Sequence, residues 1–325
     1  MNRVKLGVTN LDVSPIAFGT WQLGGDWGKF DEQAAIEAIQ HARELGINFF
    51  DTAQAYGFGV SERLLGDALR DDLDDNRDEL VIATKGGLRM DAEDGLVRDS
   101  SPEWLRRGVD ESLNNLGLDH IDLYQVHWPD PQTPFEVTAH TLEELVGEGK
   151  IGHVGVSNFN AKQTAEFSRT RPVETSQPPY HLFRREIEHE LLPYAHEHDI
   201  GVLVYGPLAH GLLTGAMDEH TSFPDDDWRR TSDVFEGDAF KRNLGVVAEL
   251  ERFAGAHGCS VGQLAIAWTL ANPAVHVAIV GSRKAKHIED SVGALNVELS
   301  AEDLTEVERI MAGSVPVAGP TPEGS

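Results

Sequence analysis

Two hydrophobic periods alternate along the chain. Short apolar runs are each followed by a stretch in which apolar positions recur at helical spacing. "SPIAFG" (residues 14–19) precedes a helix pattern from Asp31 to Leu45, with Asp31 placed to cap it. "INFFDTA" (47–53) precedes "SERLLGDALR", where Ser61 is a candidate cap and Leu64, Leu65, Ala68 and Leu69 share a face. "ELVIATK" (79–85) precedes "SPEWLRRGVDESLNNLG" (101–117), which opens on Ser101 and Pro102 and closes on Gly117. "IDLYQVH" (121–127), "GHVGVSN" (152–158), "VETSQ" (173–177), "IGVLVYG" (200–206) and "VHVAIVG" (275–281) complete eight strands. Each of the first seven is followed by at least one helical segment, and the last by "KHIEDSVGAL".

Eight alternating strand and helix units, with strands apolar on both faces, predict an all-parallel sheet closed into a (β/α)8 TIM barrel spanning residues 1–325 as one domain. A doubly wound sheet is the competitor, but it expects a G-x-G-x-x-G turn directly after a strand, and none of the strand runs is followed by one. "RVKLGVTNLDVS" predicts an N-terminal β-hairpin plugging the barrel floor. Residues 207–238 are too long for a plain connection and read as a lid or a disordered loop. Two extra helical segments, "KRNLGVVAELERFAGAHG" and "SVGQLAIAWTLANP", precede the eighth strand, and the tail "SVPVAGPTPEGS" is either loose or draped over a face.

Composition narrows the class. At 325 residues and 40% hydrophobic, the chain can bury a large core, and no run approaches the ~20 apolar residues of a membrane helix. The N-terminal residues carry no apolar signal-peptide core, so a cytoplasmic location is expected. The single Cys259 reads as a buried structural thiol. Net charge is −27, and Arg outnumbers Lys 19 to 8. Such a field repels nucleic acid and anionic lipid. Salt at 1 M screens charges over about 3 Å, so an acidic, Lys-poor surface suits a halophilic cytosol. An ordinary acidic enzyme is the plainer alternative. His196 and His198 point to different helix faces and read as a solvated helix end, so no metal site is expected.

Side chains at the C-terminal ends of barrel strands converge on one face. Asp51 ends the second strand, Tyr56 follows it, Lys85 ends the third and His127 ends the fourth. A phenol titrates near pH 10, too weak an acid to protonate a carbonyl readily. A lysine ammonium beside it favours the phenolate and strengthens the acid, and Asp51 can hold that lysine charged. A neutral His127 can orient the carbonyl without competing for the proton. Taken singly, Asp51 and Lys85 read as a structural ion pair, Tyr56 as a packed aromatic and His127 as a core histidine; their placement at successive strand ends makes them a candidate site. No side chain here can deliver electrons, so a nicotinamide cofactor is expected.

"FDTAQAYGFGVSERLLG", "IATKGG", "DLYQVHWPD", "GVSNF", "VYGPLAHGLLTG" and "IVGSRKAKHIEDSVGAL" resemble the aldo-keto reductase family, in order and over nearly the whole chain. The resemblance implies a barrel that binds NADPH or NADH without a Rossmann domain, with Asp51, Tyr56, Lys85 and His127 as the catalytic tetrad. By the same similarity Ser157, Asn158 and Gln177 hold the nicotinamide carboxamide, and Tyr205 stacks on the ring. Gly19, Thr20 and Trp21 line the same cleft, and Gly206, Leu208 and Gly211 lie along the cofactor. Ser282, Arg283, His287, Asp290 and Ser291 fall at the family's adenosine-phosphate site. Arg283 is placed for a 2′-phosphate, so NADPH is expected over NADH. His287, Asp290–Ser291 and Gly206 depart from the commoner Gln, Glu–Asn and Ser.

The implied activity is reduction of a small-molecule carbonyl compound, an aldehyde, ketone or sugar, with Trp21, Tyr56, His127 and Trp128 contacting it. Trp228 joins them if the lid lies over the site. Reverse-direction alcohol or sugar dehydrogenation, a slow cofactor-sensing subunit and a Schiff-base aldolase using Lys85 are the alternatives; the pairing of Lys85 with Asp51 argues against the last. The motifs specify neither the carbonyl compound nor an oligomeric state.

Overall fold

The computed structural model describes residues 1–25, 27–93 and 95–321. Strands β1 (Val4–Lys5) and β2 (Asp12–Val13) form an antiparallel hairpin. Eight parallel strands close the barrel: β3 (Ile16–Gly19), β4 (Phe49–Asp51), β5 (Val81–Gly86), then β8 (Ile121–Val126), β9 (Ile151–Ser157), β10 (Thr175–Gln177), β11 (Gly201–Tyr205) and β12 (Val277–Gly281). Between β5 and β8 stands a hairpin of β6 (Leu88–Asp91) and β7 (Gly95–Arg98). The barrel strands pair in chain order, and β12 closes on β3 from Ala278–Ile16 to Gly281–Gly19.

Helices cover the outside. They are α1 (Glu32–Glu44), α2 (Val60–Ala68), α3 (Arg70–Asp75), α4 (Pro102–Leu116), α5 (Phe135–Gly147), α6 (Ala161–Phe167) and α7 (Leu191–Glu197). Then come α8 (Gly237–Ala256) and α9 (Val261–Leu270) ahead of β12, and α10 (Ala285–Gly293) and α11 (Ala301–Met311) after it. The paired α8 and α9 are the two helices expected there.

The strand period of two explains how the barrel makes a site. Ala17, Phe49, Ala83, Leu123, Leu203 and Val277 fill the interior, and Leu6 and Val13 of the hairpin pack on them as a floor. Two residues further along, the inward positions of β4, β5, β8 and β11 become Asp51, Lys85, Gln125 and Tyr205, those of β3 and β12 become Gly19 and Ile279, and His127 continues the β8 series. Polar groups from four strands thus gather above an apolar layer and meet at the C-terminal mouth.

Local signals behave as their chemistry demands. Asp31 accepts from the N–H groups of Gln33 and Ala34, Ser101 accepts from Trp104, and Gly117 ends α4 in the left-handed conformation at φ 67°. Ser61 departs from expectation. Gly59, at φ 95°, supplies the turn into α2, and Ser61 is drawn into the interior. There its Oγ donates to Thr20 Oγ1 at 2.7 Å and lies 3.1 Å from Thr52 Oγ1. A buried hydroxyl needs partners, and these lie behind the strand ends.

Residues 207–238 are an ordered lid containing three short 3-10 turns, bridged to the loop after β3 by antiparallel pairing of Trp27 with Asp227. The tail is draped: Val317 is buried and its N–H donates to Phe183 O at 3.0 Å, while Asn243 bonds both polar groups of Val315. Residues 322–325 of that tail lie outside the described residues. Cys259 is half-buried, its Sγ 3.5 Å from Ala254 O, and partial burial pushes the thiol up.

Candidate active site

Asp51 and Lys85, 3% and 1% exposed, form an ion pair with Nζ 2.5 Å from Oδ1. Lys85 Nζ also donates to Thr52 O at 2.8 Å, which fixes its direction. It stands 5.2 Å from the centre of the Tyr56 ring, and the His127 ring meets Tyr56 edge-on at 5.6 Å. All four residues expected at the strand ends are therefore brought together.

The electrostatics follow from depth. Burial pulls the Lys85 ammonium below its ordinary range, opposed by the attraction of Asp51 and then of Glu62. Burial also holds His127 well below its usual value, and the Lys85 charge adds to this, so His127 is neutral at physiological pH. The site is an ammonium clamped by one carboxylate, beside a phenol and a neutral imidazole.

Above this set lies a cleft of about 820 Å³. Asn158, at φ 62°, donates from Nδ2 to His127 O at 2.9 Å and to Ser157 Oγ at 3.1 Å, and its Oδ1 accepts from Tyr205 Oη at 2.8 Å. Ser157 Oγ donates to Gln177 O at 2.8 Å. The end of β9, the end of β10 and the ring at the end of β11 are thus one hydrogen-bonded unit. The surrounding protein pushes the Tyr205 phenol up to about 12, so it remains a donor.

Of the residues expected to hold a cofactor, Gly19, Thr20, Trp21, Gly206, Leu208, Gly211, His287, Asp290 and Ser291 also line the cleft. Ser282 and Arg283 are engaged within the protein. Ser282 Oγ bonds both polar groups of Lys284, and Arg283 Nη1 donates to the carbonyls of Trp27, Gly28 and Lys29 at 3.2–3.4 Å. Asp290 accepts from Ser260 and Gln263, tying α10 to the start of α9.

Trp128 lines the cleft with the Arg98 guanidinium 5.0 Å from its ring. The lid lies over the site, where Trp228 stacks on Trp21 at 6.2 Å and meets Trp27 and His210 edge-on. Arg229 pins the lid: it pairs with Asp227, donates to His210 O and covers the Trp27 ring at 4.7 Å. Sequence reasoning missed Trp27, His210, Gln125 and the β6–β7 hairpin, whose Leu88 and Leu96 line the cleft beside Trp128. The hairpin had a signal in alternating "LRMD" and "GLVR" around a D-G pair. His210 lies within the motif "VYGPLAHGLLTG", but nothing in the chain pairs it with Trp27, because only the fold brings the two loops together.

The cleft suits a long, partly polar cofactor. His127 Nδ1, His210 Nε2, Trp27 Nε1 and Trp228 Nε1 are buried with no hydrogen-bond partner among the described residues, and all four residues line it. Gly206, Ala209, His210 and Gly211 all have positive φ, a strained run that lets backbone approach a ligand closely. Among the described residues no group of three potential metal ligands occurs, and no helix is long and apolar enough to cross a membrane.

Comparison with known proteins agrees with this geometry. Residues 15–312 match the model of the Aldo/keto reductase family. The chain is 40% identical to aldo-keto reductase YhdN of Bacillus subtilis (strain 168), covering 97% of this chain and 95% of that protein. It is 33% identical to aldo-keto reductase yakc [NADP(+)] of Schizosaccharomyces pombe, covering 99% and 94%, and 32% identical to the NADH-specific methylglyoxal reductase of Escherichia coli (strain K12), covering 94% and 97%. The structure of a glycerol dehydrogenase from Gluconobacter oxydans superposes with a TM-score of 0.88 at 38% identity, covering 98% of each chain. With the barrel, the four converging side chains and these matches in agreement, the chain belongs to the aldo-keto reductase family, enzymes that reduce carbonyl groups with a nicotinamide cofactor.

Proposed function

We propose that this protein, acting as one barrel domain, reduces small aldehydes, ketones or open-chain sugars with NADPH, and that Tyr56 is the proton donor. The observation that carries the reading is the buried Lys85–Asp51 pair beneath the Tyr56 ring, with neutral His127 across from it. When bound, the nicotinamide supplies the hydride.

The chain's own residues do the rest. The Lys85 ammonium stabilises negative charge developing on the Tyr56 oxygen as its proton leaves for the substrate oxygen. Asp51 and Thr52 O keep that ammonium in place. His127 donates a hydrogen bond to the carbonyl and, being neutral, does not replace Tyr56 as the acid. Lid residues Trp228 and Arg229 keep water from the cleft.

NADPH is favoured over NADH because Arg283 stands at the turn into α10, and a guanidinium with one nitrogen on residues 27–29 keeps donors for a phosphate. The relatives divide, one named for NADP(+) and one for NADH. Similarity to a glycerol dehydrogenase supports operation in the alcohol-oxidising direction as well. The acidic surface is read as an adaptation to a salt-rich cytoplasm.

The test is the change in 340 nm absorbance with NADPH and NADH across aldehydes, ketones and sugars. Y56F should lower turnover by about a hundredfold or more while cofactor binding, read by tryptophan fluorescence, is unchanged. Turnover of that variant at the wild-type rate would remove Tyr56 as the acid.

A further inference from the structure

Gln125 interrupts an apolar strand and has been given no role in binding or proton transfer. It faces the barrel interior one layer below His127 and is fully buried. Its Nε2 donates to Asp51 Oδ2 at 3.3 Å, and its Oε1 accepts from Gln177 Nε2 at 3.2 Å. Gln177 Nε2 also donates to Asp51 Oδ2, at 2.9 Å. With Lys85 on Oδ1, two neutral amides complete the carboxylate's partners.

These bonds allow one orientation of the two amides. Turning Gln177 over would set its oxygen against Asp51 Oδ2 and Gln125 Oε1, replacing two hydrogen bonds by two contacts between acceptors. Turning Gln125 over would set its oxygen against Asp51 and its NH2 against that of Gln177. The nitrogen of Gln177 is therefore committed to the barrel interior, and its oxygen is the atom left for the cleft, which Gln177 lines.

We propose that Gln125 is a positioning residue: with Asp51 it fixes the amide polarity of Gln177, so that Gln177 presents a hydrogen-bond acceptor to the carboxamide N–H of the nicotinamide. The inference rests on the cofactor reading above. It links the carboxylate that holds Lys85 to the group that sets how the nicotinamide lies.

The experiment compares binding of NADP+ with that of its 3-acetylpyridine analogue, which keeps the carbonyl oxygen and lacks the N–H, by quenching of tryptophan fluorescence; the unphosphorylated pair is used if those bind better. Wild-type protein should prefer the natural cofactor about tenfold, the worth of one buried hydrogen bond. Q125M removes half of the hold on Gln177 and should shrink the preference to about threefold. Q125K places a donor where Gln177 now meets an acceptor, so that only Asp51 still favours the present orientation of that amide, and should shrink the preference further. Thermal melting of each variant separates loss of folding from loss of discrimination. A lower melting temperature with the wild-type preference intact makes Gln125 merely structural and overturns the proposal. Equal binding of both dinucleotides by the wild type overturns it even if neither variant folds. Failure of the wild type to bind any nicotinamide dinucleotide would instead refute the cofactor reading.

Discussion

Replacing Asp51 by Asn tests the reasoning about the buried pair most directly. D51N keeps the size of the side chain and removes the charge 2.5 Å from Lys85 Nζ. Breaking a buried ion pair on one side costs about 3–5 kcal/mol, because the remaining charge is left uncompensated. Part of that cost is relieved when Lys85 gives up its proton. Burial already pulls this ammonium below its ordinary range, and the Asp51 attraction is the main force opposing that pull. Removing about 3 kcal/mol of that attraction lowers the protonated-to-neutral ratio of Lys85 by a factor of about 100. The neutral amine no longer stabilises charge on Tyr56, so the alkaline limb of the kcat/KM profile should move about two pH units toward acid in D51N. Acid restores the ammonium, so the variant and wild-type profiles should converge as pH falls. The sign for stability follows from the same direction: where the folded lysine is neutral and the unfolded one charged, the unfolded state binds more protons, so stability rises with pH. The assay is kcat/KM from pH 5.5 to 9 with one aldehyde and saturating cofactor, beside a thermal melt at each pH. A wild-type profile, or a loss equal at every pH, would refute the assignment of the Lys85 charge to the acid.

Gly86→Ala should destabilise by about 1–3 kcal/mol in chemical denaturation, because its Cβ would overlap the buried Tyr124 oxygen, which has no hydrogen-bond partner among the described residues; Y124F in the same chain should recover part of the loss. Buried His127 and His181 lie well below their ordinary value and His210 is lowered to about 3, so all three stay neutral while unfolded histidines charge below pH 6.5. Stability is then lost as pH falls through that window, by about 4 kcal/mol at pH 5.5 for the three together, and H210Q should lessen the loss by about one third in urea titrations. Arg283→Ala should raise KM for NADPH about tenfold more than KM for NADH; an equal rise for both would restrict Arg283 to holding residues 27–29. The net charge of −27 predicts a melting temperature that climbs as KCl is raised from 0.1 M to 2 M, and a flat response would argue for an ordinary acidic enzyme.

The eight strands, their order and the four polar side chains that meet at the barrel mouth are legible in the chain alone. Each barrel strand is a short apolar run bounded by polar or turn residues, and the period of two carries the inward series to a polar residue at its upper end, as in Phe49 to Asp51 and Leu123 to Gln125 to His127. Caps such as Asp31 and Ser101 were readable because their bonds are made to residues two or three positions away.

Whatever depends on partners far apart in the chain took shape only on folding. Ser61 resembles a cap locally, yet its partners Thr20 and Thr52 come from two other strand ends, and burial gives them precedence. Arg283 matches a phosphate-binding position, yet one of its nitrogens is held by carbonyls more than 250 residues away, on the loop that the lid also grips. Gln125 reads as one polar residue in a strand until β4 and β10 bring Asp51 and Gln177 against it. A period records which face a residue occupies; which groups share that face, and therefore what a buried polar atom must bond to, is fixed only when the barrel closes.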